Sequence, residues 1–183
     1  MEQKKMTTAF ITGKHIYLRD VRLSDVNENY YRWMNDPEVI KYIESRFFPV
    51  SIEALEEYVK EKDKDKDSIF LAIIYKENQK HIGNIKLGPI NRIHRLADIG
   101  IIIGEKDYWG KGCAAESIRL ISNYAFRTLN LHKLTAGCYK GNVASGKAFE
   151  KAGFIKEGVR KAHVFSEGKY QDILQYGLIN PGE

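Results

Sequence analysis

Between residues 97 and 129 the chain passes from a short β-branched run, through a glycine-rich turn, into an amphipathic pattern, and few folds accommodate that succession. Ala97-Asp98-Ile99-Gly100-Ile101-Ile102-Ile103-Gly104 has the composition of a buried strand. Ala114, Ala115, Ile118, Ile121, Ala125 and Leu129 recur at intervals of three and four, which defines one face of a helix. Joining the two is Tyr108-Trp109-Gly110-Lys111-Gly112-Cys113-Ala114-Ala115-Glu116. Small residues here let backbone N–H groups approach a ligand closely, and the first amides of a helix have no intrahelical partner. The succession predicts a phosphate cradle at a helix N-terminus.

Two common cradles do not fit. A P-loop needs Gly-Lys-Ser/Thr at its end, whereas Lys111 precedes Gly112 and Cys113 follows. A dinucleotide fingerprint needs a third spaced glycine, which is missing. A second pattern lies downstream in Asn142-Val143-Ala144-Ser145-Gly146-Lys147-Ala148-Phe149-Glu150-Lys151-Ala152-Gly153-Phe154. It reads as a helix capped by Asn142, with Ala144, Ala148 and Phe149 facing inward and Gly153 stopping it. Together the two patterns resemble the signatures of the GCN5-related N-acetyltransferase (GNAT) family. Trp109 stands in the Gln/Arg position of the acyl-CoA pyrophosphate loop, and Gly112 and Ala114 stand in its two small positions. Ile93-His94-Arg95, Leu129-Asn130-Leu131-His132-Lys133 and Glu167-Gly168-Lys169-Tyr170-Gln171-Asp172 resemble the ribosomal-protein-alanine and spermidine N-acetyltransferase branch.

Periodicity divides the rest without a linker or repeat. His15 to Asp20 reads as a strand, and Ser24 as the cap of a helix carrying Val26, Tyr30, Trp33 and Met34. Pro37 marks a further helix start, and Ser51-Ile52-Glu53-Ala54 a capped helix reaching about Lys62. Ile69 to Tyr75, His81 to Leu87 and Lys133 to Tyr139 are strands, and Ala162 to Phe165 and Tyr170 to Ile179 form a hairpin turning at residues 166–169. The expectation is one mixed α/β domain over residues 14–180 after a tail at 1–13. The resemblance implies the GNAT fold, a splayed mixed sheet of about seven strands flanked by helices.

The 183 residues, 43% of them hydrophobic, suffice for a single core. Met1 to Met6 lack an apolar h-region, so no secretory signal is expected, and no run approaches the ~18 apolar residues of a membrane span. Cys113 and Cys138 suit a reduced, cytoplasmic protein, and neither they nor the five histidines have metal-ligand spacing. The net charge of +5 is spread along the chain, and Glu61-Lys62-Asp63-Lys64-Asp65-Lys66-Asp67 alternates in sign, which argues against nucleic acid as a partner. A modest positive field favours capture of a polyanionic co-substrate.

The resemblance implies acetyl-CoA as co-substrate, no metal, and transfer of an acetyl group to a primary amine. Trp109, Gly110, Lys111, Gly112, Cys113, Ala114 and Ala115 would bind pyrophosphate. Ile101, Ile102 and Ile103 would pair with the pantetheine arm, one of their amides polarising the thioester carbonyl. Asp98, a carboxylate inside an apolar strand on one face with Gly100 and Ile102, is the general-base candidate, its alternative being an ion pair with Arg95 or Lys86. Phe149 occupies the position of a proton-donating tyrosine in many relatives, which leaves Ser145 and Tyr139 as candidate acids. Asn142 and Ser145 are also expected to hold pantetheine. For the acceptor, Tyr31, Trp33, Arg46, Phe47 and Phe48 offer aromatic and basic groups, while Glu44, Glu53, Glu56 and Glu57 offer an acidic lining. The acceptors that follow are a nucleotide-linked amino sugar, a polyamine or a protein N-terminus. A CoA-binding module without turnover is the alternative, and homo-oligomerisation stays open.

Overall fold

A computed structural model describes residues 8–182. Its strands are β1 (Ile11–Thr12), β2 (Ile16–Asp20), β3 (Ile69–Tyr75), β4 (Lys80–Leu87), β5 (Leu96–Ile103), β6 (Lys133–Tyr139), β7 (Ile155–Ser166) and β8 (Lys169–Ile179). The helices are α1 (Glu28–Asn35), α2 (Ile52–Lys64), α3 (Cys113–Arg127) and α4 (Val143–Lys151). All eight strands form one sheet in the order β1-β2-β3-β4-β5-β6-β8-β7. The pair β5–β6 is parallel and the others are antiparallel.

The helices cover both faces. Ile118, Ile121, Ala125 and Phe126 of α3 pack with Ile82, Ile85 and Leu87 of β4, Ala97 and Ile99 of β5 and Leu134 of β6 in the main core. Burying each such side chain contributes roughly 1.5–3 kcal/mol. On the other face Tyr30 and Trp33 of α1 meet Leu55 and Val59 of α2. Trp33 lies over Gly104, where any Cβ would overlap the indole.

The strand and helix readings hold in order, with local differences that have physical causes. Ile11–Thr12 adds an eighth strand, paired with Leu18 and Tyr17, inside the segment expected to be a tail. Helix α1 is capped by Asn27, whose Oδ1 accepts from the amides of Asn29 and Tyr30, and not by Ser24. Ser24 sits in a single 3-10 turn whose Asp25 is engaged by the Arg19 guanidinium at 2.7 Å. No helix starts at Pro37: residues 36–43 form turns, followed by a 3-10 turn at Glu44–Phe47. Long-range bonds hold that segment in place, from Lys106 to Asp36 and Glu38 and from Tyr42 to the Gly141 carbonyl, and they override helix propensity. Ser51 caps α2 as expected, its Oγ accepting from the Ala54 amide. Strand β7 begins at Ile155, well before Ala162, because its mostly exposed, charged first half hides the alternation that marks a strand. In α4, Ala144 is exposed, and Gly146 and Phe149 form the buried face.

Among the described residues no helix is long and apolar enough to cross a membrane. Met1 to Met6, where no secretory signal is expected, lie outside them.

One discontinuity organises everything else. The parallel pairing of β5 with β6 joins Leu96 to Lys133, Ala97 to Leu134 and Asp98 to Thr135, and then stops. Beyond it β5 continues to Ile103 on β4, and β6 continues to Tyr139 on β8. The sheet is split at Asp98.

Candidate active site

Backbone parity decides which groups face the split. The Gly88 amide donates to the Asp98 carbonyl at 2.8 Å, and the Gly104 amide donates to the Ile82 carbonyl at 2.9 Å. In an antiparallel ladder alternate residues point to opposite neighbours, so residues 98, 100, 102 and 104 spend their backbone groups on β4. Ile101 and Ile103 therefore turn theirs toward the gap. The Ile103 carbonyl accepts from the Trp109 indole N–H at 2.7 Å, which leaves both amides aimed into the opening. Ile102, expected to share the pantetheine contact, instead faces β4 with its backbone, opposite Asn84.

The turn after β5 has the geometry on which a cradle reading rests. Gly110 (φ 73°) and Gly112 (φ 83°) are left-handed, and a Cβ on either would meet only open space. Helix α3 makes its first i→i−4 bond from the Glu116 amide to the Gly112 carbonyl. The amides of Cys113, Ala114 and Ala115 have no acceptor among the described residues, which is the arrangement an anion needs. Cys113 and Ala115 bury their side chains and offer only backbone. Trp109 is 41% exposed, and its indole ties the turn to the end of β5. The Lys111 ammonium lies 5.2 Å over the Tyr108 ring, at the rim. These groups fit a pyrophosphate.

Asp98 stands at the point of the split. Its Oδ1 accepts from the Thr135 hydroxyl at 2.9 Å, a partner the sequence does not suggest. Its residue surface is open on one side, while packed neighbours strip part of the carboxylate's hydration. Desolvation raises its pKa above the ordinary value of 3.8, against the Thr135 bond and the charges of Lys86 and Arg160. At Gly100, next on the same face, a Cβ would have no neighbour within 4 Å, so open space adjoins the carboxylate.

The candidate acids differ in availability. Asn142 Oδ1 accepts from the Ser145 amide at 3.2 Å and caps α4. Ser145 is half-buried in the first turn of α4, directly after the end of β6 and its short loop. Tyr139 has its hydroxyl spent: it donates to Glu44 at 2.6 Å and accepts from Arg46 at 2.8 Å. Burial, followed by the bond to Glu44, raises its pKa. Phe149 is in the core, with its ring 5.2 Å from Phe154 and 6.2 Å from Tyr176. Neither cysteine is a nucleophile candidate: both are buried, and desolvation with the nearby Glu150 pushes the Cys138 thiol up to about 11.

Two grooves flank the far side. One of about 460 Å³ is lined by Tyr42, Lys140, Gly141 and residues 167 and 169–172. The other, about 610 Å³, is bounded by Pro37, Arg46, Phe47, Phe48 and Glu167. Neither includes Asp98. Of the expected acceptor residues, Arg46, Phe47 and Phe48 gather here, Tyr31 is exposed on α1, and Trp33 is buried with its indole N–H on Glu105 at 2.9 Å. Glu53, Glu56 and Glu57 ride on α2, which packs on β3 away from the split. Asp172 is structural, its Oδ1 accepting from the Ala162 amide at the β7 bulge. Glu105 and Lys106 carry no signal in the sequence that marks them. Glu105 binds Arg32, Trp33 and Lys80, and Lys106 binds Asp36 and Glu38, so together they dock α1 and the segment after it onto the end of β5.

Comparisons agree with this geometry. A family model described as an acetyltransferase (GNAT) domain matches residues 15–155. A probable N-acetyltransferase of Bacillus subtilis, YjcK, is 29% identical over 180 residues, which cover 94% of this chain and 98% of that protein. The spermidine N(1)-acetyltransferase of Vibrio cholerae is 36% identical over 116 residues, 60% of this chain and 66% of that protein. A crystal structure of spermidine N-acetyltransferase from Vibrio cholerae in complex with CoA and spermine matches with a TM-score of 0.82 at 27% identity, covering 92% of this chain and 97% of that one. The chain belongs to the GNAT family of acetyltransferases and is an N-acetyltransferase.

Proposed function

We propose that the protein transfers the acetyl group of acetyl-CoA to the primary amine of a small molecule in the cytoplasm, using the sheet from Ile11 onward and its helices as one catalytic domain. The observation that carries this reading is the end of β5–β6 pairing at Asp98, beside the open amides of Ile101, Ile103 and the α3 N-terminus. Acetyl-CoA supplies a thioester acyl group and a thiolate leaving group. The amides of Cys113, Ala114 and Ala115, with Gly110, Gly112 and Lys111 around them, hold pyrophosphate; Trp109 fixes the turn. Ile101 and Ile103 engage the pantetheine amides, and an amide at this edge polarises the thioester carbonyl as charge develops on its oxygen. Asn142 and Ser145 border the same arm.

An amine attacks only when neutral. Asp98 takes the ammonium proton, directly or through water, and its raised pKa makes it a better acceptor for that proton. Ser145 gives a proton to the departing sulfur; since a thiol's pKa is about 8.5, this help is modest. Tyr139 orients the acceptor side through Glu44 and Arg46. The likeness to spermidine N-acetyltransferases makes polyamines one acceptor class to assay.

The test is release of free thiol from acetyl-CoA across a panel of amines. Amine-dependent release is expected. Tight acetyl-CoA binding with no release for any amine would make the protein a binding module.

A further inference from the structure

The face of the sheet around Asp98 carries a charge pattern that the reaction alone does not require. Asp98, Gly100 and Ile102 share one face of β5 by strand alternation. Lys86 of β4 lies opposite Gly100 and therefore rises on that same face, diagonal to Asp98. Gly137 of β6 and Gln175 of β8 continue the floor, and Arg160 of β7 sits opposite Ile173, one alternation along from Gln175. Glycine at 100 keeps the floor open beside Asp98, whereas at Gly137 a Cβ would meet Gln175 at 3.1 Å.

Several other cations near this end of the molecule are engaged. Lys140 and Lys161 share Asp172, Lys133 holds Glu157, Lys41 holds Glu167, and Arg46 is spent on Tyr139 and the Phe165 carbonyl. The side chains of Lys86 and Arg160 have no hydrogen bond or ion pair among the described residues. Lys86 is also half-buried, its long stem lying on the sheet beside Gly100. Both charges are felt at Asp98. Beyond Asp98, the carboxylates offer a second ammonium little in exchange: Glu44 is bonded to Tyr139 beside the Arg46 guanidinium.

We infer that the acceptor is an amine that also carries an anionic group, a carboxylate or a phosphate, seated on Lys86 while its amine lies at Asp98. This rests on the acetyl-transfer reading above. Diagonal neighbours across an antiparallel pair are about 7–8 Å apart. That span takes an ammonium at one end and an anion at the other, with a short linker between. A polyamine would instead place its second ammonium against Lys86.

Matched pairs test this: ethanolamine against phosphoethanolamine, alaninol against alanine, with spermidine alongside. The anionic member of at least one pair is expected to have a kcat/KM about tenfold or more above its neutral partner, the scale of one charge-assisted hydrogen bond. Lys86→Gln should collapse that ratio mainly through KM, and Lys86→Glu should move the preference toward spermidine. Spermidine outperforming both anionic amines, with the ratio unchanged in Lys86→Gln, overturns the inference. Calorimetry of phosphoethanolamine and ethanolamine with the CoA-loaded protein reads the same preference without turnover. Absence of turnover with every amine therefore sinks the catalytic reading, while equal binding of the pair sinks the charge preference.

Discussion

The proposed donor side of this site is built from backbone and the proposed acceptor side from side chains, and the two are held by different kinds of contact. Around the donor, two left-handed glycines, three helix amides and two strand amides come from residues 101–115, all close in sequence. Around the acceptor, Tyr139 reaches Glu44 across 95 positions, Tyr42 reaches Gly141 across 99, and Arg46 reaches Phe165 across 119. A backbone site tolerates changes of side chain, provided φ and the helix start are kept. A side-chain site is retuned by single substitutions. The same fold can therefore keep one donor and change its acceptor.

The largest separation of the two sides is expected from Asp98→Asn. Turnover should fall by about 10²–10⁴-fold with acetyl-CoA affinity unchanged, because the variant keeps an acceptor for the Thr135 hydroxyl but cannot take a proton. In the wild type the acid limb of the pH–rate profile should lie above the ordinary carboxylate value of 3.8, and the variant should lack it. Stability carries a sign of its own. A carboxyl raised on folding disfavours the folded state once it ionises, so wild type and variant should be alike below pH 3.8 and the variant the more stable as pH rises past the folded pKa. A variant less stable at neutral pH, with normal turnover per folded molecule, would make Asp98 structural.

Gly112→Val should act on the other side alone. A β-branched residue at φ 83° is strained, and its side chain enters the space above the helix amides. Acetyl-CoA affinity should fall roughly a hundredfold by calorimetry, about the loss of two charge-assisted bonds, with the fold retained by circular dichroism. Unchanged affinity in the folded variant would remove the cradle.

Smaller effects sort the acids. Ser145→Ala should cost about tenfold to a hundredfold in kcat. Tyr139→Phe should change kcat by only about threefold while raising the KM of the amine, since its hydroxyl supports Glu44 and Arg46. The reverse outcome, a silent Ser145→Ala and a crippled Tyr139→Phe, would exchange their roles. Phe149→Tyr should not restore activity to Ser145→Ala, because that ring is packed between Phe154 and Tyr176.

The same division explains what is legible in the sequence. Strand β5, the turn and α3 are readable because hydrophobic period, glycine position and helix start are local signals. Asp98 stands out because a carboxylate in an apolar strand is costly. Thr135 is invisible as its partner, since only the parallel register of β5 and β6 brings them together. The turns after Pro37 look like a helix in sequence because their conformation depends on Lys106, Arg46 and Tyr42, bonds that no window of sequence contains. The first half of β7 is hidden for a related reason: it is an edge, mostly exposed and charged, and only its register with β8 identifies it.

The central claim is that the split at Asp98 exposes a particular set of amides to the donor, and residue-resolved amide hydrogen exchange by NMR with and without CoA tests it most directly. CoA should slow exchange at Ile101, Ile103, Cys113, Ala114 and Ala115 and leave Ile102 unchanged, because its amide is already held by β4. Protection that misses the α3 N-terminus, or that falls on Ile102 and spares Ile101 and Ile103, would contradict the account.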